Sequence, residues 1–182
     1  SHLVIGVPSF GSQDERHFAQ KLLSIILGGN MSSRMFLNIR EAKGMCYYID
    51  SDVDRYLDAG SLSTRAGIDQ SRLDEAVKLI INEYDQVALH GVLDEEVARA
   101  KSYMKGSIIL SLEDTEDLAH FFGKQQLLYP NVRSVDEYIG MIEAVSKEEI
   151  DQLAKDLLGH ENLRLAVIGN TDNKAGLESL LV

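Results

Sequence analysis

Two neighbouring segments alternate residue by residue, Cys46 to Asp54 and Gly60 to Ile68, with Arg55-Tyr56-Leu57-Asp58-Ala59 between them. A short turn-like break between two period-two runs predicts a β-hairpin. What surrounds the hairpin constrains the fold most. After it the apolar residues recur at three and four for about ninety residues, the spacing of amphipathic helices. Other strand-like runs are Leu3 to Val7 near the start and Leu163 to Ile168 near the end. An order of strand, helices, hairpin, several helices, strand and helix disfavours a doubly wound parallel sheet. It predicts an α+β domain, a mainly antiparallel sheet with helices packed on one face.

The boundaries follow from local chemistry. Pro8, Gly11 and Ser12 stop the first strand. Phe18, Ala19, Leu22, Ile25 and Ile26 mark a helix from Asp14 to Leu27, and Gly28-Gly29 stand where a left-handed cap is expected. Ser32 or Ser33 is placed to cap a second, shorter helix through Ala42, closed by Gly44. Further helices are read from Ser71 to Leu89, from Asp94, from Asp114 to Leu128, from Ser134 to Ala144 and from Ser146 to Leu158. Ser146 and Glu149 open the last as a capping box. On the first hairpin strand alternation puts Tyr48, Asp50, Asp52 and Asp54 on one face, with Tyr47, Ile49 and Val53 on the other. Nothing divides the chain, so residues 1–182 are read as one domain. It opens on Ser1-His2 without a Met and reads as a piece of a longer protein.

Composition removes several classes of function. With 18 Lys and Arg against 29 Asp and Glu, a net charge of −11, the surface suits neither nucleic acid nor an anionic membrane. No apolar run reaches the length of a membrane span. The compartment stays open, the cytoplasm being favoured and export not excluded. Cys46 is the sole cysteine and has no nearby base in sequence to activate it. The histidines, at 2, 17, 90, 120 and 160, form no paired metal-binding spacing, so no metal site is expected within this chain. His120 lies four residues after Glu116, which reads as a helix-surface charge pair. Asp50, Asp52 and Asp54 begin like a calcium loop, but Arg55 and Ser61 stand where Gly and Glu are required.

One segment carries more: Leu27-Gly28-Gly29-Asn30-Met31-Ser32-Ser33-Arg34-Met35-Phe36, followed by Ile39-Arg40-Glu41-Ala42-Lys43-Gly44-Met45-Cys46-Tyr47. It resembles the signature of the second half-domain of the pitrilysin/insulinase metallopeptidases, Leu-Gly-Gly-Gly-Met-Ser-Ser-Arg-Leu-Phe and then Ile-Arg-Glu-Lys-Arg-Gly-Leu-Ala-Tyr. The leading strand, the hairpin after Tyr47 and the late strand ending near Gly169-Asn170 agree with it. Asn30, Ala42-Lys43 and Met45-Cys46 depart from the pattern, while Arg40, Gly44 and Tyr47 keep it.

The resemblance implies a clamshell of two related halves, with zinc and its ligands on an N-terminal half or partner subunit that this chain lacks. The chain alone is then expected to be inactive, as the substrate-binding half of a zinc endopeptidase. Tyr47 would donate to the oxyanion formed at the scissile peptide carbonyl, and Arg40 would clamp a neighbouring substrate carbonyl. The loop Gly28, Gly29, Asn30, Met31, Ser32 and Ser33 would face the peptide. The alternative is a non-catalytic structural or partner-binding subunit of the same fold, and homo-oligomerisation stays open. The acidic charge suits a chamber for basic peptides, but only if a bulge brings Tyr47 round to the aspartate face.

Overall fold

The computed structural model describes residues 1–170 and 173–181. Four strands, β1 (His2–Ser9), β2 (Cys46–Arg55), β3 (Gly60–Ile68) and β4 (Arg164–Ile168), form one antiparallel sheet in the order β2-β3-β1-β4. The helices are α1 (His17–Gly28), α2 (Leu73–His90), α3 (Asp94–Ser111), α4 (Thr115–Leu128), α5 (Val135–Ala144), α6 (Lys147–Leu157) and α7 (Lys174–Ser179). A wide π-helical turn, Phe36–Glu41, stands between α1 and β2. This is the α+β arrangement expected from the order of periodicities.

Alternation decides which face of the sheet is covered. Leu3, Ile5 and Val7 of β1 and Leu62 and Ala66 of β3 are buried, and α1 and α2 pack over that side. The polar residues on the same face are satisfied together. Ser51 and Thr64 share a hydrogen bond of 2.7 Å, Thr64 meets the Tyr84 hydroxyl at 2.8 Å, and Tyr84 donates to the Ile5 carbonyl at 3.3 Å. One hydroxyl chain thus ties β2, β3, β1 and α2. The opposite face carries Val4, Asp50, Asp54 and Arg65 towards solvent.

Two local expectations need correction. Gly28 and Gly29 do not form a left-handed cap: Gly29 has φ −79°, and among the described residues only Gly44 and Gly91 have positive φ. These two glycines serve close approach instead. A Cβ on Gly28 would stand 2.6 Å from the Ser51 nitrogen, and one on Gly29 would stand 2.6 Å from the Ile25 Cα. Nor do Ser32 and Ser33 cap the following turn. The Ser33 hydroxyl donates back to the Asn30 carbonyl at 2.6 Å, and no side chain caps the turn that begins at Phe36. The Ser146–Glu149 capping box is present, with a second at Ser134 and Glu137.

Candidate functional site

Arg40 and Tyr47 stand on either side of one tight connection. Beyond the π-helical turn stands Gly44, whose φ of +54° lets the chain reverse; its N–H donates to the Arg40 carbonyl at 2.9 Å. Met45 N–H donates to the Ile39 carbonyl at 3.2 Å, and β2 begins at once. Arg72, at the foot of α2, fastens this connection from outside by donating to the Gly44 carbonyl at 3.1 Å and the Lys43 carbonyl at 3.4 Å. No sequence pattern pointed to Arg72, which lies far along the chain from its partners.

Regular alternation places Tyr47 on the core face with Ile49; the structure places it outside. Cys46 pairs with Ile68 and Tyr48 with the adjacent Gly67, leaving Tyr47 as the extra residue of a β-bulge. Tyr47 is 88% exposed. It borders a hollow of about 570 Å³ shared with Tyr48, His2 and Asp69. The bulge is the feature that the simultaneous outward placement of Tyr47 and the aspartates required.

Arg40 is exposed, and its guanidinium rests over the Phe36 ring, 4.8 Å from the centroid. Among the described residues neither the Arg40 nor the Tyr47 side chain has a hydrogen-bond or ion-pair partner, so their donors are uncommitted. The spacing of four between Phe36 and Arg40 was the available signal for that ring contact. Cys46 is half-buried, and burial pushes its thiol up while the charge of Arg40 works against that rise. A thiol held protonated is a poor nucleophile.

The glycine-serine loop is a separate neighbourhood. Gly28 and Ser33 are buried, whereas Met31 and Ser32 are exposed and Asn30 is half-buried. Asn30 holds the turn by accepting from the Ser32 N–H at 2.8 Å. Asn30, Ser32 and Ser33 border a cleft with Glu96 and Arg99 of α3, which the hollow at Tyr47 does not share. Gly28 abuts Ser51, four residues along β2 from Tyr47, about 13 Å at ordinary strand rise. Next to this loop Arg34 makes a two-pronged bond to Glu96 at 2.6 and 2.7 Å, and Leu93 N–H donates to the same carboxylate at 2.7 Å. Burial alone would raise the Glu96 carboxyl, but these bonds outweigh it and hold it below the usual carboxylate range.

The aspartates of β2 are partly neutralised. Arg65 holds Asp50 at 2.7 Å and Lys21 holds Asp52 at 2.5 Å, while Asp54 is exposed. Their oxygens do not converge on a calcium ion. His120 and Glu116 form an exposed pair of 3.9 Å on α4. Among the described residues no three His, Cys, Asp or Glu side chains gather in a way that could hold a metal ion. The described residues therefore do not fit a zinc site.

Comparison with known proteins gives these features a family setting. The sequence model described as the peptidase M16 inactive domain matches residues 1–104. A zinc protease of Streptomyces coelicolor is 36% identical over 174 residues, 96% of this chain and 38% of that protein. A zinc protease of Bacillus subtilis is 33% identical over 95% of this chain and 42% of its own length. This chain thus spans about two-fifths of those relatives. Among solved structures, a peptidase M16 inactive domain from Pseudomonas fluorescens superposes with a TM-score of 0.78 over 94% of this chain and 42% of its own, at 16% identity. A chain of complex III2 from Candida albicans reaches 0.81 over 98% of this chain and 46% of its own, also at 16% identity. At such identities the likeness speaks for the fold.

Proposed function

This chain belongs to the peptidase M16 family, as its inactive domain, and on that premise we propose that it is the substrate-binding half of a zinc-dependent endopeptidase. Family membership bears out the resemblance to the pitrilysin/insulinase metallopeptidases. Zinc and the residues that hold it belong, in this reading, to an N-terminal half or partner subunit outside this chain, since no metal-binding cluster occurs among the described residues. The relatives named zinc proteases, of which this chain spans about two-fifths, support that division.

The observation that carries the reading is the pair of uncommitted donors at the Gly44 connection. When a peptide carbonyl is attacked, negative charge builds on its oxygen. A hydroxyl aimed at that oxygen stabilises the transition state more than the bound substrate. Tyr47 supplies such a hydroxyl, turned outward and bonded to nothing among the described residues. Arg40 leaves the Phe36 ring to donate its fork of N–H groups to a substrate backbone carbonyl, which sets the register of the peptide. Met31 and Ser32 present a second contact for the peptide farther along the surface. A purely structural subunit gives no reason to leave both donors open.

Tyr47→Phe in the full-length protein tests this. We expect kcat on a peptide substrate to fall tenfold or more, as for about 1.4 kcal/mol or more of lost transition-state stabilisation, with KM little changed. Arg40→Ala should raise KM and lower kcat together. An unchanged rate for Tyr47→Phe refutes the role given to its hydroxyl.

A further inference from the structure

Taking Tyr47 as the donor proposed above, we propose that Tyr48 and Gly67 are its positioning residues. The Tyr48 ring, seated in the space Gly67 leaves empty, holds the bulge that turns the Tyr47 hydroxyl out of the sheet.

A strand left to alternate would bury Tyr47 beside Ile49, which is 5% exposed, and Ser51, which is 4% exposed. Something must therefore hold the extra residue in place. The pairing changes step between Cys46 and Tyr48, directly opposite Ile68 and Gly67. At Gly67 the Tyr48 ring lies so close that a Cβ would stand 2.5 Å from its Cε1 and 2.8 Å from its Cδ1. Carbon atoms do not approach that closely, so ring and side chain exclude each other. Glycine inside a strand weakens it unless another group needs the room, and here the room is filled.

The seat extends across the sheet. Gly67 pairs with Tyr48 on one side and with His2 on the other. The Tyr48 hydroxyl reaches His2 Nδ1 at 3.0 Å, and the two rings lie 6.0 Å apart. The side chain thus spans from the edge strand over β3 to β1. With Tyr48 seated opposite Gly67 and Cys46 paired with the adjacent Ile68, the residue between them has no partner on β3 and stands out of register. Tyr47 owes its direction to its neighbour's anchorage, because its side chain makes no hydrogen bond of its own among the described residues.

Two experiments test the proposal. The first uses the 182-residue chain, which has its own core, and reads nitration of individual tyrosines by tetranitromethane and peptide mapping. Tyr47 is 88% exposed, Tyr56 in the hairpin turn is 70% exposed, and Tyr84 is fully buried. We expect the Tyr47-to-Tyr56 nitration ratio to exceed one in the wild type and to drop below one in Gly67→Ala and in Tyr48→Leu, with Tyr84 unreactive. An unchanged ratio in both variants overturns the proposal. Should Gly67→Ala expose Tyr84 by unfolding, Tyr48→Leu decides, since it removes the ring without inserting anything. The second uses the full-length protease. Gly67→Ala should lower kcat about ten- to a hundredfold at unchanged KM, and should cost nothing further in a Tyr47→Phe background. Additive losses overturn the positioning role. If Tyr47→Phe alone leaves the rate unchanged, the functional reading fails, and the nitration ratio still decides whether Tyr48 and Gly67 direct the side chain.

Discussion

Alanine is a better helix former than glycine, yet Gly28→Ala at the end of α1 should destabilise this domain. The added Cβ would stand 2.6 Å from the Ser51 nitrogen and 2.8 Å from the Ser51 Cβ. Ordinary contact between such atoms is about 3.5 to 4 Å, so α1 must withdraw from β2 by about 1 Å. Overpacking of this kind costs about 1 to 3 kcal/mol. If Ser51 yields instead, its buried hydroxyl loses Thr64, at about 1 to 3 kcal/mol for polar groups left unpaired. The gain from glycine to alanine in a helix is about 1 kcal/mol in the other direction. Only one of the two routes is taken, so the net loss is about 1 kcal/mol. The chain has no Trp, so urea unfolding is best followed by far-ultraviolet circular dichroism. With a slope of about 2 kcal/mol per molar, the midpoint should fall by about 0.5 M. Gly123→Ala in α4 is the matched control: its Cβ would meet nothing within 4 Å, and it should gain about 0.5 to 1 kcal/mol. A Gly28→Ala midpoint at or above that of the wild type refutes the close-approach argument.

Glu96→Gln should cost about 2 to 4 kcal/mol at neutral pH, because it leaves the Arg34 guanidinium, only 17% exposed, without its charged partner. The folded-state carboxyl is held below its ordinary range. Its contribution is therefore complete above the ordinary carboxylate range and is lost as pH falls through the depressed value. The gap between variant and wild type in urea midpoints should close on acidification, and a gap independent of pH refutes this. Tyr84 is fully buried and its phenol is pushed far up by desolvation, with the Thr64 hydroxyl bond opposing. In a spectrophotometric alkaline titration one tyrosine should ionise only as the fold is lost; ionisation of all seven while circular dichroism stays native contradicts that.

The hairpin, the order of the helices and the Ser146 capping box were legible because each is set by residues within a few positions of one another. Gly28 and Gly29 were misread as a left-handed cap. A glycine needed for backbone angle and one needed for close approach look alike in sequence, and Ser51 lies far along the chain. The bulge at Tyr47 was visible only as a conflict between two face assignments, since the glycine opposite it belongs to another strand. Arg40 and Tyr47 came from the family resemblance; by spacing alone they would have passed for a surface cation and a sheet aromatic. The ties that hold them, Arg72 on Gly44 and Tyr48 on Gly67, join segments that meet only once the sheet and α2 are in place.

The position of β1 bears on how the domain assembles. Although it comes first in the chain, it lies inside the sheet, with Leu3 opposite Ala66 on one side and Val167 on the other. The second of these pairings closes a loop of more than 160 residues, nearly all of this chain, and little of its entropic cost is recovered before the two strands meet. High contact order of this sort slows folding. The hairpin and the helices can form from neighbouring residues, but β4 can find its edge only after β1 is seated. β4, the later of the two in sequence, therefore completes a sheet that β1 has held open, and the unpaired flank of β1 stays exposed to wrong partners until then.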